Sequence, residues 1–132
     1  MLTRLREIVE KVAAAASLTD ALDLLVNETC LAMDTEVCSI YLADNDRRCY
    51  YLMATRGLKK PRGRTIALAF DEGVVGLVGR RAEPINLADA QSHPSFKYVP
   101  QVKEDRFRSF LGVPIIHRRQ LLGVLVVQQR EL

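Results

Sequence analysis

Two runs near the end of the chain, SFLGVPII (residues 109–116) and LLGVLVVQ (residues 121–128), constrain the fold more than any other feature. Each is apolar at odd and even positions alike. A strand with two apolar faces has to be buried on both, so this pair belongs inside a sheet that is covered above and below. Four polar or charged residues, HRRQ (117–120), separate the runs and read as a turn between neighbouring strands. Pro114 is the discordant residue, because it has no amide donor for a ladder. Its position needs a bulge or a side without a partner strand.

The preceding sequence supplies the covering layers. Leu2, Leu5, Val9, Val12 and Ala16 recur at spacings of three and four, which makes one face of a helix. Ser17 or Thr19 then caps a second helix, with Asp20 favourable in its first turn. This helix runs to about Met33, with Leu22, Leu25, Val26 and Thr29 on its buried side. The period then changes to two. EVCSIYLADNDRRCYYLMATRG (36–57) reads as a hairpin around Asn45-Asp46. With Ala43 opposite Arg48, one face carries Cys38, Ile40, Leu42, Cys49, Tyr51 and Met53. The other carries Val37, Ser39, Tyr41, Tyr50, Leu52 and Ala54. The leading helices cover one face, and the other requires a second layer or a cavity with a ligand in it.

After a turn-rich basic loop, RGLKKPRGR (56–64), come a short strand in TIALAF (65–70), a helix in DEGVVGLVGRRAE (71–83) and a short strand in PINLAD (84–89). The connection at 90–108 has two prolines and no clear period, and loops of that length inside compact domains are often functional. The order predicts an α+β fold: a central antiparallel sheet of about six strands, two N-terminal helices on one face, and a pocket with a short helix and a long loop on the other.

At 132 residues this is one domain with an ordinary globular balance, 48% hydrophobic and 27% charged. A net charge of +3 is too mild to imply nucleic acid. No apolar run approaches the roughly 20 residues of a membrane span. The opening MLTRLREIVEKV mixes charge into its apolar positions and is not a secretory signal. Cys30, Cys38 and Cys49 show no CxxC spacing, and His93 and His117 lie far from them. Free thiols in a reducing cytoplasm, with no metal and no cofactor, is the plain reading. A Gly-x-Ser-x-Gly elbow and a Cys–His pair in a recognisable context are both missing.

DEGVVGLV, then PINLADAQSHPSF, then RSFLGVPIIHRRQLLGVLVVQ follow one another in the order of the GAF domain pattern, which this chain resembles over nearly its whole length. With MLTRLREIVEKV, AMDTEVCSIYLAD and RCYYLMATRGLKKPRGR added, it resembles more specifically the GAF domains at the N-terminus of the nitrogen-related phosphoenolpyruvate–protein phosphotransferases. The resemblance implies a six-stranded sheet, a small-molecule pocket, and regulation of the catalytic domains of a parent chain in response to glutamine or 2-oxoglutarate. It also implies a further helix after the last strand. On that ground the chain reads as an excised single domain lacking the terminal helix and all catalytic domains, with homodimerisation through helix 1 as a remedy for a poorly covered face. The histidine phosphorylated in such enzymes belongs to a later domain, and neither His93 nor His117 matches its motif. The cyclic-nucleotide motif of some GAF domains is not reproduced, and a bilin-attachment cysteine is not evident.

Within this frame the ligand-binding candidates are Tyr41, Asn86, Asp89, Phe96, Arg106, Arg108 and Phe110. In resembling domains the segment at 84–110 forms a wall and lid, to which Asn86 and Asp89 offer polar contacts and Phe96 and Phe110 apolar cover. Arg106 or Arg108 can grip a carboxylate bidentately. The plainer roles are turn capping for the Asn and Asp, and a surface ion pair for the arginines. Lys59, Lys60, Arg62 and Arg64 are candidates for docking an acidic partner, against the plain reading of a solvated loop. Gly73, Gly76 and Gly79, three apart, do not form the dinucleotide fingerprint and read as a device for close helix–sheet packing. A ligand-free dimerisation or docking module is the main alternative. A cysteine-dependent methionine sulfoxide reductase and a PAS fold are weaker ones. Cys38 and Cys49 sit on an apolar face where thiols are usually inert, and two helices precede the first hairpin.

Overall fold

The computed structural model describes residues 2–13, 17–58, 66–95 and 107–130. Helices α1 (Leu2–Ala13) and α2 (Leu18–Met33) lead into strands β1 (Val37–Asp44) and β2 (Cys49–Arg56). Strand β3 (Ala67–Ala69), helix α3 (Gly73–Arg81) and strand β4 (Ile85–Leu87) follow, then a 3-10 turn at Ala90–Ser92. Strands β5 (Ser109–His117) and β6 (Gln120–Gln129) close the sheet. Six antiparallel strands run in the order β3-β2-β1-β6-β5-β4. Both doubly apolar runs have neighbours on either side, β5 between β4 and β6 and β6 between β5 and β1, but their burial is incomplete: Ile116 and Leu122, next to the β5–β6 turn, are exposed. β4 pairs β5 only between Phe110 and Gly112, so the outer side of β5 at Pro114 has no partner strand and the missing donor costs no ladder bond there.

The two faces bury separate clusters. On the helical face Leu22, Val26 and Cys30 of α2 pack on Cys38, Ile40, Ala54 and Val127. On the other, Val74, Val75, Leu77 and Val78 of α3 pack on Val37, Tyr41, Tyr50, Leu52, Val124 and Val126, with Ile85, Ala90, Phe107 and Phe110 closing the far side. Helix α2 starts where Ser17 accepts a hydrogen bond from the amide of Asp20 (3.1 Å) and ends at Asp34 in the left-handed region. Helix α1 lies against α2, held in part by Lys11 Nζ donating to Glu28 (2.8 Å), a bond that also lowers the Glu28 pKa.

Three details differ from the sequence reading. The first hairpin turns through four residues, Asn45 to Arg48, rather than two, because the Asp44 carboxylate accepts from the amides of Asp46 and Arg47 (both 3.1 Å) and shapes the loop itself. Ala43 therefore opposes Tyr50, a shift of two that leaves each side chain near the turn on its expected face. A bulge between Ile40 and Tyr41 then inverts the alternation of β2, so Ala54 joins the helical face instead of the α3 face. Among the described side chains of α1, Ile8, which lies off the face the spacing suggests, is buried, and Leu5, which lies on it, is 54% exposed. The side chains of Leu2, Val9 and Val12 are outside the described set, as is Ala16.

Candidate functional site

At one end of the sheet the β1–β2 turn, the β5–β6 turn, the end of β3 and the last turn of α3 converge. Antiparallel pairing forces this: Asp44 opposes Cys49, Cys49 opposes Ala69, Leu42 opposes Gly123, and His117 opposes Gln120. Between these pieces lies a cleft of about 450 Å³, lined by Asn45, Arg48, Tyr50, Ala69, Phe70, Asp71, Gly79, Arg80 and Leu121.

Its floor exists because α3 has no side chain at Gly79. A Cβ there would overlap the Tyr50 hydroxyl, lie 2.9 Å from Tyr50 Cζ and 3.2 Å from Leu121 Cδ2. One turn earlier, a Cβ at Gly76 would lie 2.6 Å from the Phe70 carbonyl oxygen. The expected close approach of helix to sheet is thus observed at both glycines. Tyr50 and Phe70 stack with ring centroids 4.9 Å apart. The Arg48 guanidinium sits 5.4 Å from the Phe70 ring centroid, and Arg80 Nη1 donates to the Phe70 carbonyl (2.9 Å). One residue thus holds both cations, one over its ring and one on its backbone. Burial raises the Tyr50 pKa, and the nearby Arg80 charge only partly opposes this. The phenol keeps its proton at neutral pH and remains a donor.

Those of the sequence candidates that are described do not line this cleft. Tyr41 and Phe110 are core residues, 3% and 5% exposed. Asn86 and Asp89 are exposed near the β4 edge, and the Asp89 side chain makes no capping bond to the 3-10 turn it precedes. Arg108 is exposed; its amide donates to the Gln129 carbonyl (2.9 Å) and its own carbonyl accepts from Ala90 (2.7 Å). Phe96, Arg106, Lys59, Lys60, Arg62 and Arg64 lie outside the described residues. Where the 84–110 segment is described, Gln91 Nε2 donates to the Phe107 carbonyl (3.1 Å), and Ile85, Ala90 and Phe107 are buried members of the core cluster on the α3 face. Gln128, opposite Phe110, and Ser39, whose hydroxyl is 2.8 Å from that of Thr55, are the buried polar residues of the sheet among the described residues. His93 accepts at Nδ1 from the amide of Ser95 (3.0 Å), a turn role.

Asn45 and Arg48 entered the sequence reading only as hairpin residues and Arg80 only within the α3 run; none was a site candidate. The one available signal was an arginine within a hairpin turn, at a position whose backbone has φ 53. The cysteines show no sign of nucleophilic use. Cys30 donates to the Thr35 carbonyl (2.9 Å), and burial, with some help from Cys30, pushes the Cys38 thiol up to about 12. Among the described residues no cluster of three or more His, Cys, Asp or Glu is placed to hold a metal. Nor is any described helix long and apolar enough to cross a membrane.

A six-stranded antiparallel sheet with two leading helices on one face and a short helix on the other is a GAF-like α+β architecture. The GAF domain model matches residues 17–131, and the chain belongs to that family. It is 84% identical, over 92% of its length, to the "Phosphoenolpyruvate-dependent phosphotransferase system" protein of Salmonella typhimurium (strain LT2), and spans 16% of that relative's length. Among solved structures, the GAF domain of a phosphoenolpyruvate-protein phosphotransferase from Coxiella burnetii superposes with a TM-score of 0.91 at 46% identity, covering 98% of this chain and 77% of that one. The corresponding Acinetobacter GAF domain gives 0.87 at 43% identity, with the same coverage.

Proposed function

We propose that the chain is a regulatory, small-molecule-sensing GAF domain of a bacterial phosphoenolpyruvate–protein phosphotransferase, adjusting phosphoryl transfer to nitrogen status through glutamine or 2-oxoglutarate. The observation that carries this reading is the 84% identity to a phosphotransferase system protein of which the chain spans 16%, a proportion that suits a regulatory domain joined to larger catalytic ones. The metabolite enters between the α3 face of the sheet and the 84–110 segment. That segment is tied at its two ends by the Ala90–Arg108 and Gln91–Phe107 hydrogen bonds, and the buried polar groups of Ser39 and Gln128 lie on the same sheet. A bound ligand acts on the parent enzyme only through unequal affinity for its active and inactive states. The setting is cytoplasmic, and the immediate partners are the parent's catalytic domains.

The test is thermal unfolding of the chain with glutamine, 2-oxoglutarate and a cyclic nucleotide, each at millimolar concentration. A ligand selective for the folded state adds about 2.7 kcal/mol at one hundred times its dissociation constant. A shift with glutamine or 2-oxoglutarate supports the reading, and flat curves with both sink it.

A second reading, a dimerisation module that binds no metabolite, is favoured by the apolar side chains left open on the helices: Leu5 and Leu31 are 54% and 53% exposed, Leu18 64% and Met33 47%. Sedimentation at high concentration distinguishes the two, since a monomer removes the dimerisation reading.

A further inference from the structure

We infer that the cleft at the turn end of the sheet binds a small organic anion, its carboxylate or phosphate held between Arg48 and Arg80 and its body resting on Tyr50 and Leu121. This site is separate from the space beneath the 84–110 segment, so it stands or falls apart from the reading above.

Three observations converge on it. The cleft, at about 450 Å³, is the right size for a small ligand. Its floor is apolar and its walls carry two guanidiniums that Phe70 holds in place, one over the ring and one through the carbonyl. Arg80 spends one of its five donors on that carbonyl, and neither arginine forms an ion pair among the described residues. Prepositioned guanidiniums with donors to spare are the side-chain chemistry that recognises an oxyanion. Asp71 on the rim sets a limit, because its negative charge favours a ligand with one oxyanion headgroup over a polyanion.

The third observation is where this end of the domain accepts backbone strain. Among the described residues five non-glycines have positive φ: Asp34, Arg48, Ala82, Arg118 and Arg119. The three arginines among them are all in the two turns beside the cleft, at φ 53, 50 and 64. Asparagine or glycine is the economical choice in such turns. Arginine there adds positive charge in place of conformational ease, and the resulting field concentrates anions near the mouth.

The experiment is an NMR titration of the 132-residue chain with benzoate, phenyl phosphate and, as the neutral control, benzyl alcohol. The expected result is saturable shifts confined to residues 45–50, 69–71, 79–81 and 121 with one or both anions and none with the alcohol. Tighter binding of phenyl phosphate assigns a phosphate ester, and tighter binding of benzoate a carboxylate. Arg80→Gln should weaken binding about tenfold or more, since a charge-assisted contact is lost. Arg48→Asn, which tolerates the positive φ, should do the same. Retention of the native spectrum in each variant guards against misfolding. Binding that survives both substitutions, equal binding of the alcohol, or no binding of either anion at about 10 mM overturns the proposal, because affinity weaker than the millimolar range is not recognition. Binding of a hexaglutamate peptide without either small anion overturns it too, in favour of protein docking.

Discussion

Replacing Gly79 with alanine sets two effects of opposite sign against each other. Helix α3 gains about 1 kcal/mol when alanine replaces glycine in its interior. The new methyl group, however, lands on the Tyr50 hydroxyl and within 2.9 Å of Tyr50 Cζ. Tyr50 has little room to yield: it is 2% exposed and packs at a tilt against Phe70. Overpacking of a seated core typically costs about 1–3 kcal/mol, and so close an approach to a buried ring places the cost in the upper part of that range. The net expectation is a loss of about 1–2 kcal/mol, or a fall in Tm of roughly 4–8 °C for a domain this size. Urea denaturation of wild type, Gly79→Ala, Tyr50→Phe and the double variant measures both the loss and its cause. Without the hydroxyl the alanine should cost about 1 kcal/mol less, a coupling well above the error of such cycles. A Gly79→Ala variant as stable as wild type would refute the packing argument, and equal costs in both backgrounds would place the strain elsewhere.

Ile40→Ala, at a position with no exposure on the helical face, should cost about 2–5 kcal/mol by chemical denaturation. Ser17→Ala removes the bond that starts α2 and should cost about 1 kcal/mol, read as a lower urea midpoint at unchanged slope. In the β5–β6 turn, Arg118→Asn with Arg119→Gly should raise stability by about 1 kcal/mol, since both residues have positive φ; a lower Tm would show that the arginines make compensating contacts. The Cys38 thiol, raised from 9.0 to about 12 in the fold, binds its proton more tightly folded than unfolded. Its contribution is full below pH 9 and is lost as pH climbs from 9 towards 12, so Cys38→Ala should flatten the alkaline loss of stability over that window.

Much of the fold was legible because its signals are local. The doubly apolar runs at 109–116 and 121–128 announce interior strands, and they pair β4, β6 and β1 on either side. Ser17 caps α2 with its own hydroxyl, and Gly76 and Gly79 sit where α3 meets Phe70 and Tyr50, whereas Gly73 serves the positive φ at the start of the helix instead of a close approach. The failures arose where a single residue resets a period. The bulge at Ile40/Tyr41 moved Ala54 across the sheet, and the Asp44 carboxylate lengthened the first turn. In α1 the exposure of Leu5 accords with the poorly covered face expected of that helix, while the burial of Ile8 depends on tertiary packing.

The division between sequence and tertiary structure is clearest at the cleft. By itself the sequence determined the α+β order and the interior strands, because hydrophobic period, capping chemistry and turn residues act over a few positions and are written in consecutive letters; its ordered motifs carried the resemblance to the family. It said nothing of Arg48 and Arg80 as a pair. They are 32 positions apart in the chain, and no local pattern links one to the other. Only folding places them around Phe70: antiparallel register carries the β1–β2 turn to the end of β3, and two glycines let α3 settle close enough for its last turn to reach the same residue.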